Sequence, residues 1–277
     1  IRAAAQAEAA YQAAALRGAI PAAILVQFPV AGVSWEQVYA AALSRPFQGR
    51  LLRDWAASMP DVRLRQIREA VRAGYVEGRT SAEIIRTIRG TRALRYEDGL
   101  LNRSRRDVAA IVQSALSHTA QTARQASYDA NADLVKALRW VSTLDSRTSP
   151  MCRVRDGLLY SATLPHRPQG HTVPWGDGPG RLHFNCRSVS VPVLKSWKEL
   201  GIDADEAPAG TRASMDGQVP AGMTYGQWFA RQSAARQDEI VGAKRGELFR
   251  AGKLSFDKFT DDKGRWLSLD ELRARWG

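Results

Sequence analysis

Both cysteines of the chain lie in one short region, and a histidine stands beside the second of them. Cys152 follows the loop that contains Asp145, and Cys186 comes three positions after His183. Because these are the only two thiols and they bracket a loop-rich stretch, we expect them to meet in space. Thiolates and imidazoles are the ligands that zinc binds in a tetrahedron. We therefore regard Cys152, His183 and Cys186 as a candidate metal site, with Asp145 as the candidate fourth ligand.

The same residues also allow arrangements without a metal. Buried thiols can pack as small apolar groups, while Asp145 and Arg147 tie the loop together by charge-assisted hydrogen bonds. A metal nuclease built on His171, His183 and Asn185 is another alternative, as is a thiol nucleophile beside His183. The sequence places no pair of carboxylates with these histidines and no orienting group beside the thiols. We expect no catalytic turnover.

A second candidate site is a cluster of arginines in a chain of net charge +12, in which 40 Lys and Arg face 28 Asp and Glu. Glu97, Asp98 and Asp107 are the acidic residues that oppose the cluster. Arginine binds phosphate and carboxylate bidentately. The cluster therefore suits either DNA bound without sequence readout or an acidic surface of a neighbouring protein, and the sequence leaves both open. Its members are Arg86, Arg89, Arg92, Arg95, Arg103, Arg105 and Arg106.

The elements that must position these residues are mostly helical. Capping boxes beginning at Ser34, Thr80, Thr224 and Ser268 each predict the start of a helix, and residues 104–133 predict one long helix with His118 at an interface. Alternating apolar residues at 138–143 and 188–193 predict short strands. The sequence predicts an α+β, predominantly α-helical fold: a helical body, a small, mostly antiparallel β module and a helical C-terminal tail.

We divide the chain by its changes in composition. The Pro- and Gly-rich stretch 165–181 is expected to be an exposed loop, and the longest apolar stretch, Ile20–Val33, is interrupted by prolines too often to span a membrane. The expected units are an N-terminal helical arm at 1–60, a helical body at 61–137, a signature module at 138–200, a linker at 201–222 and a docking tail at 223–277.

The order of the motifs resembles a known family. Trp140, then Leu144-Asp145-x-Arg147-Thr148, Cys152, Asp156-Gly157 and His183-x-x-Cys186-Arg187 resemble the signature of the phage head-morphogenesis family typified by the F protein of phage Mu. The basic, alanine-rich helix before the signature is similar too. Family members commonly carry Cys-x-x-Cys and His-x-x-Cys-x-Cys, whereas here Ser149 and Ser188 take one place in each pair. A four-thiolate site therefore cannot form.

The resemblance implies a minor capsid protein, a virion component that binds portal protein and other head proteins during head assembly, and packaged DNA. It implies several copies in a larger assembly, in the phage head near the portal vertex and in the host cytoplasm during assembly. No membrane and no cofactor other than a structural zinc are expected. The alternative is a metal-dependent nuclease or DNA-processing factor delivered with the genome. A third is a DNA-binding module that acts alone.

Overall fold

The computed structural model describes residues 1–203, 205–206, 210–261 and 263–276, without the side chains at helical positions 59, 60, 75, 76, 81, 103–105 and 108. About 48% of the chain is helical and 12% is strand, in small antiparallel sheets followed by a helical C-terminus. The predicted α+β, mainly helical class is confirmed.

The helices are α1 (Arg2–Gly18), α2 (Ala22–Gln27), α3 (Trp35–Ser44), α4 (Leu52–Val76), α5 (Ser81–Arg89), α6 (Leu100–Ala130), α7 (Pro150–Arg153), α8 (Tyr225–Ala230), α9 (Ala234–Val241), α10 (Ala243–Arg250) and α11 (Leu269–Trp276). The strands are β1 (Val135–Val141), β2 (Leu159–Ser161), β3 (Pro168–Gln169), β4 (Val189–Leu194), β5 (Thr211–Ser214) and β6 (Gly217–Pro220). The border expected at residue 60 falls inside α4.

The N-terminal helix packs on the long helix α6 and on α3. Ala5, Ala9 and Ala13 form a buried stripe at four-residue spacing, and small side chains let helices approach closely. Farther on, Asn131 at the end of α6 accepts a hydrogen bond from the amide of Ala31 at 2.8 Å and donates one to its carbonyl at 3.1 Å. The N-terminal segment is thereby fixed to the body.

His118 lies on the buried side of α6, as expected for an interfacial residue. Its Nε2 is 3.0 Å from the carbonyl oxygen of Ala42 on α3, so Nε2 carries the proton that is donated. Burial, together with the positive charge of Arg181, lowers its pKa to about 4. The side chain is therefore a neutral structural group at ordinary pH.

The signature module is a four-stranded antiparallel sheet in the order β3-β2-β1-β4. Helix α6 covers the outer edge of β4: Tyr128 Oη donates to the carbonyl of Ser190 at 3.1 Å, and Gln121 Nε2 donates to its hydroxyl at 2.6 Å. Pro192 has no amide hydrogen to offer at that edge. The edge is thus protected against pairing with a further strand.

The loop expected to be exposed lies instead over the core of the module. Trp175 is buried against Trp140, Tyr160 and His166, with ring centroids 4.8 to 5.4 Å apart. Although prolines and glycines surround it, one large aromatic ring is enough to fix the loop on the sheet, because burying it removes extensive apolar surface from water.

The C-terminal region also departs from expectation, because the stretch expected as a linker contains the hairpin β5-β6. Ser214 forms a bridge with Leu144 of the module, and the Met215 amide donates to the Leu144 carbonyl at 2.9 Å. Arg212 pairs with the buried Asp156 at 3.0 Å. Leu144 lies in the same core cluster as Trp228 and Phe259. The tail therefore packs on the module of its own chain.

A bundle of helices built from residues 61–107 of α4, α5 and α6 is named here the arginine bundle. These helices contact one another, and the α5–α6 loop is closed by Asp98, which accepts from the Thr91 amide at 2.8 Å and hydroxyl at 2.9 Å. Gly90 ends α5 with a φ of 89°, which favours glycine. Among the described side chains of the bundle, no large apolar residue belongs to a buried core cluster.

Candidate metal centre and contact surface

The two thiols and the histidine meet between two short structural elements. Cys152 lies on α7, whose N-cap Ser149 accepts a hydrogen bond from the Cys152 amide at 3.4 Å. His183 and Cys186 lie on a turn before β4 that is closed by a hydrogen bond from the Cys186 amide to the His183 carbonyl at 3.2 Å. Asn185 occupies the left-handed region with a φ of 58°, a conformation that asparagine tolerates. The turn aims both side chains at α7.

The ligand atoms of Cys152, His183 and Cys186 lie within 4.8 Å of one another. The two Sγ atoms are 3.7 Å apart, and Cys152 Sγ is 3.2 Å from His183 Nε2. The cysteines are buried and free, as thiols. The structure thus brings the two cysteines together as the sequence predicts, and it brings His183 with them.

The orientation of His183 is fixed by its other nitrogen. Nδ1 is 2.8 Å from the carbonyl oxygen of Phe184, which can only accept, so Nδ1 carries a proton. Nε2 therefore faces the thiols, 2.8 Å from Ser149 Oγ. A histidine whose second nitrogen is held by a carbonyl is the usual arrangement of a metal ligand.

The electrostatics of the cluster favour one thiolate. Hydrogen bonds from Cys152 and His183 lower the pKa of the Cys186 thiol, although its burial opposes this. The bond to Cys186 and burial raise the pKa of the Cys152 thiol. Hydrogen bonding to Cys186 raises the pKa of His183. Deprotonation of Cys186 is thus favoured over deprotonation of Cys152.

Asp145 does not belong to this cluster, which corrects the expectation that it would supply a fourth ligand. Its carboxylate binds Arg187 bidentately, with one N–O distance of 2.8 Å, and accepts from the Thr148 amide at 2.9 Å. Burial by itself raises the pKa of Asp145, but the hydrogen bonds and charge of Arg187 outweigh it, so the pKa lies below its ordinary value. The side chain of Arg147 is mostly exposed, 4.0 Å from the carboxylate, whereas its backbone amide donates to Asp145 Oδ1 at 3.1 Å.

The donor set fits a zinc-class cation. Two sulfurs that bind one tetrahedral zinc at ~2.3 Å each stand roughly 3.8 Å apart, and the observed separation is 3.7 Å. Two serines are close by. Ser149 Oγ is 2.8 Å from His183 Nε2, and Ser188 Oγ is 3.1 Å from the hydroxyl of Ser142, which donates to the Cys152 carbonyl. Two thiols, one imidazole and neutral hydroxyls therefore surround the site.

The residues of the nuclease hypothesis are not gathered in one site. His171 Nε2 is 2.8 Å from the carbonyl oxygen of Leu159, and its ring packs on Tyr160. His183 belongs to the thiol cluster, which within the described residues includes no carboxylate. Asn185 is exposed, and its backbone N–H donates to Ser114 Oγ at 2.9 Å.

The predicted arginine cluster lies at one end of the arginine bundle. The side chains of Arg103 and Arg105 lie outside the described part of the chain. Arg89 stacks over the Tyr96 ring at 4.9 Å, and Arg106 approaches Glu97 at 3.5 Å. The described members Arg86, Arg89, Arg92, Arg95 and Arg106 are all exposed.

Sequence reasoning missed the exposed aliphatic residues of the arginine bundle. Leu94 is 59% exposed, Ile85 is 58% exposed and Leu64 is 51% exposed, and Val71 is also exposed. Ile85 could have been found from the sequence, because Ile84, Ile85 and Ile88 give the short helix α5 more apolar positions than two neighbouring helices can cover. The surface combines positive charge with apolar area.

Part of the chain matches a known protein family. Residues 65–191, from α4 to β4, match the family described as Phage Mu protein F like protein. This family is a structural phage head protein family. Over these residues the chain is similar to Mu F-like phage head morphogenesis proteins, and the resemblance read from the sequence is confirmed there. No curated protein and no solved structure matches the chain significantly. Within the described residues, no helix is both long and apolar enough to cross a bilayer.

Proposed function

We propose that this protein is a minor head protein that binds portal or capsid protein through its arginine bundle during head assembly. The observation that carries the proposal is the combination of exposed aliphatic and arginine side chains on helices without a buried core cluster of their own in the described residues. Helices of this kind are stabilised by packing against a partner. A neighbouring protein would supply the missing apolar contacts.

The positive charge of the arginine bundle indicates which kind of partner it binds. Between Arg63 and Arg106 the sequence holds twelve arginines and five acidic residues, so this stretch carries more than half of the net charge of +12. An acidic surface with apolar residues at its centre would satisfy both features, because arginine is enriched at protein interfaces and its aliphatic stem packs on apolar groups. Packaged DNA is a second candidate partner of the arginines. It ranks below a protein surface because it would bind the positive charges and leave the exposed aliphatic residues uncovered.

The remainder of the described chain supplies a firm support for this surface. The module and the C-terminal helices share the core cluster that contains Leu144, and the buried pair Arg212–Asp156 joins them. The N-terminal helices pack on the module through Trp197. The bundle is connected to this support through α6, which runs from the arginines to the sheet.

The alternative function, a metal-dependent nuclease, is less well supported by the site. Phosphodiester cleavage by hard cations uses carboxylate and water ligands, whereas the cluster of Cys152, His183 and Cys186 offers soft thiols. We therefore retain the assembly role, in the phage head and close to the portal vertex.

Co-expression with the portal and major capsid proteins of the same phage tests the proposal. The tagged full-length protein should retain one of them, and the double substitution Arg92→Glu and Arg95→Glu should reduce the retained amount at least about tenfold, since like charges across an interface repel. Lys198→Glu combined with Arg231→Glu reverses two exposed charges elsewhere and should leave retention unchanged.

A salt titration of DNA binding by the same variants distinguishes contact with DNA from contact with a head protein. Binding of a head protein should also weaken when Ile85 and Leu94 are changed to serine. The affinity for DNA should fall as the salt concentration rises and should be unchanged by those two substitutions. Retention that is unaffected by both double substitutions would refute the proposed surface. Loss of DNA binding alone would assign the arginines to DNA.

A further inference from the structure

We infer that Cys152, His183 and Cys186 form a three-ligand site for a thiophilic divalent cation of the zinc class, with a fourth position beside the Ser149 hydroxyl. The inference concerns a different part of the molecule from the arginine bundle and does not rest on the assembly role.

The three donor atoms are spaced as the ligands of one metal ion. The three donor atoms lie within 4.8 Å of one another, and the separations of 3.7 Å between the two sulfurs and 3.2 Å between Cys152 Sγ and His183 Nε2 are close to the edges of a zinc tetrahedron. A disulfide would require the two sulfurs to stand at about 2.05 Å. The reduced pair is therefore spaced for a shared ion.

The ring of His183 is oriented for metal binding. Its Nδ1 proton is committed to the Phe184 carbonyl at 2.8 Å, so the nitrogen that faces the sulfurs has the lone pair that a metal requires. What sets His183 apart from His118, whose ring is also held by a carbonyl, is that its other nitrogen lies 3.2 Å from a cysteine sulfur.

The fourth ligand position lies beside Ser149. Asp145 is held by Arg187 and Thr148, which removes the one carboxylate that the signature loop offers. Ser149 Oγ, 2.8 Å from Nε2, is the neighbouring oxygen. Two thiolates and one imidazole leave the last place to a water or to this hydroxyl, as in zinc sites that keep one exchangeable ligand. A neutral oxygen at this position holds a thiophilic ion more weakly than a third thiolate would.

The test uses the full-length protein, purified under reducing conditions, with Co²⁺ and Zn²⁺ as probes. We expect one equivalent of Zn²⁺ by elemental analysis. With Co²⁺ we expect the visible bands of a tetrahedral ion and a sulfur-to-metal charge-transfer band. Cys186→Ser and His183→Gln should each lower the affinity by at least about tenfold. His171→Gln, which changes a half-buried histidine outside the cluster, should bind like the native chain.

Ser149→Cys examines the fourth position directly. A third thiolate should raise the charge-transfer absorbance by about half and tighten Zn²⁺ binding against a competing chelator. Far-ultraviolet circular dichroism of each variant shows that it is folded. The inference is overturned if the reduced, folded protein binds no Co²⁺ or Zn²⁺, or if Cys152 and Cys186 are a disulfide in the native protein. It is also overturned if Cys186→Ser binds as well as the native chain. An unchanged spectrum for Ser149→Cys would remove the assigned fourth position.

Discussion

Replacing Arg212 by methionine should strongly destabilise the protein, because this residue joins the C-terminal hairpin to the module. Its guanidinium binds both carboxylate oxygens of Asp156, at 3.0 and 3.2 Å, and donates to the carbonyl of Met223 at 3.0 Å and to that of Ser142. The Asp156 side chain is fully buried, and that of Arg212 is 11% exposed. Removing the cation leaves a carboxylate in the interior without its counter-charge.

The expected loss is about 3–5 kcal/mol, the range for removing one partner of a buried ion pair. Two amide donors at 2.6 Å, from Ser142 and Tyr225, remain and favour the lower part of this range. Burial already raises the pKa of Asp156 above its ordinary value, and Arg212 opposes that shift. Without Arg212 the folded-state pKa rises further, so stability is lost as pH rises through it. The variant should therefore lose more stability at neutral pH than at mildly acidic pH.

Urea unfolding followed by tryptophan fluorescence measures this loss. Lys136→Met is the matched control, because Lys136 pairs with Glu199 at 2.8 Å on the surface, with 42% and 49% of the side chains exposed. The control should cost less than about 1 kcal/mol. If Arg212→Met cost no more than the control, the C-terminal region would not be held on the module through this pair.

Three further predictions concern other buried groups. Burial lowers the pKa of His118 to about 4. The stability that the neutral ring contributes should be present above pH ~6.5 and should fall by about 3 kcal/mol as the pH drops toward 4. The urea midpoint of His118→Gln should vary less than that of the native chain over the same pH range. The pKa of Asp145 is lowered, so this carboxylate should stabilise the folded protein above pH ~4, and the contribution should be lost as the pH falls through the folded-state pKa. Asp145→Asn should lower the free energy of unfolding by about 1.5–3 kcal/mol at neutral pH and make it depend less on pH under acid conditions. Trp175→Ala should cost about 3–5 kcal/mol in urea unfolding, whereas Trp276→Ala, at an exposed position, should change stability by less than about 0.5 kcal/mol; equal costs would contradict the packed loop.

Local signals predicted much of the fold. The capping boxes at Ser34, Thr80 and Thr224 are present with both hydrogen bonds, because they depend on residues three positions apart. The alternation at 138–143 and 188–193 likewise corresponds to β1 and β4. The meeting of Cys152 with Cys186 was predictable because the chain holds no other thiol.

Long-range pairing was not predictable from the same signals. Nothing near Arg212 in the sequence indicates that its partner is Asp156, and a hairpin with few large apolar residues resembles a linker until that pair is known. Asp145 was left between a metal and Arg147, because its actual partner, Arg187, lies 42 positions later in the chain. Charge alone does not show which neighbour satisfies it.

Site-specific photo-crosslinking in assembled phage heads tests the central claim most directly. A photoreactive amino acid at Leu94, which is exposed in the arginine bundle, should form a covalent adduct with portal or capsid protein, identified by mass spectrometry. The same group at Met215, on the β5–β6 turn, should give much less of that adduct. Heads that contain the protein but yield no head-protein adduct at Leu94, or yield adducts with DNA alone, would contradict the account.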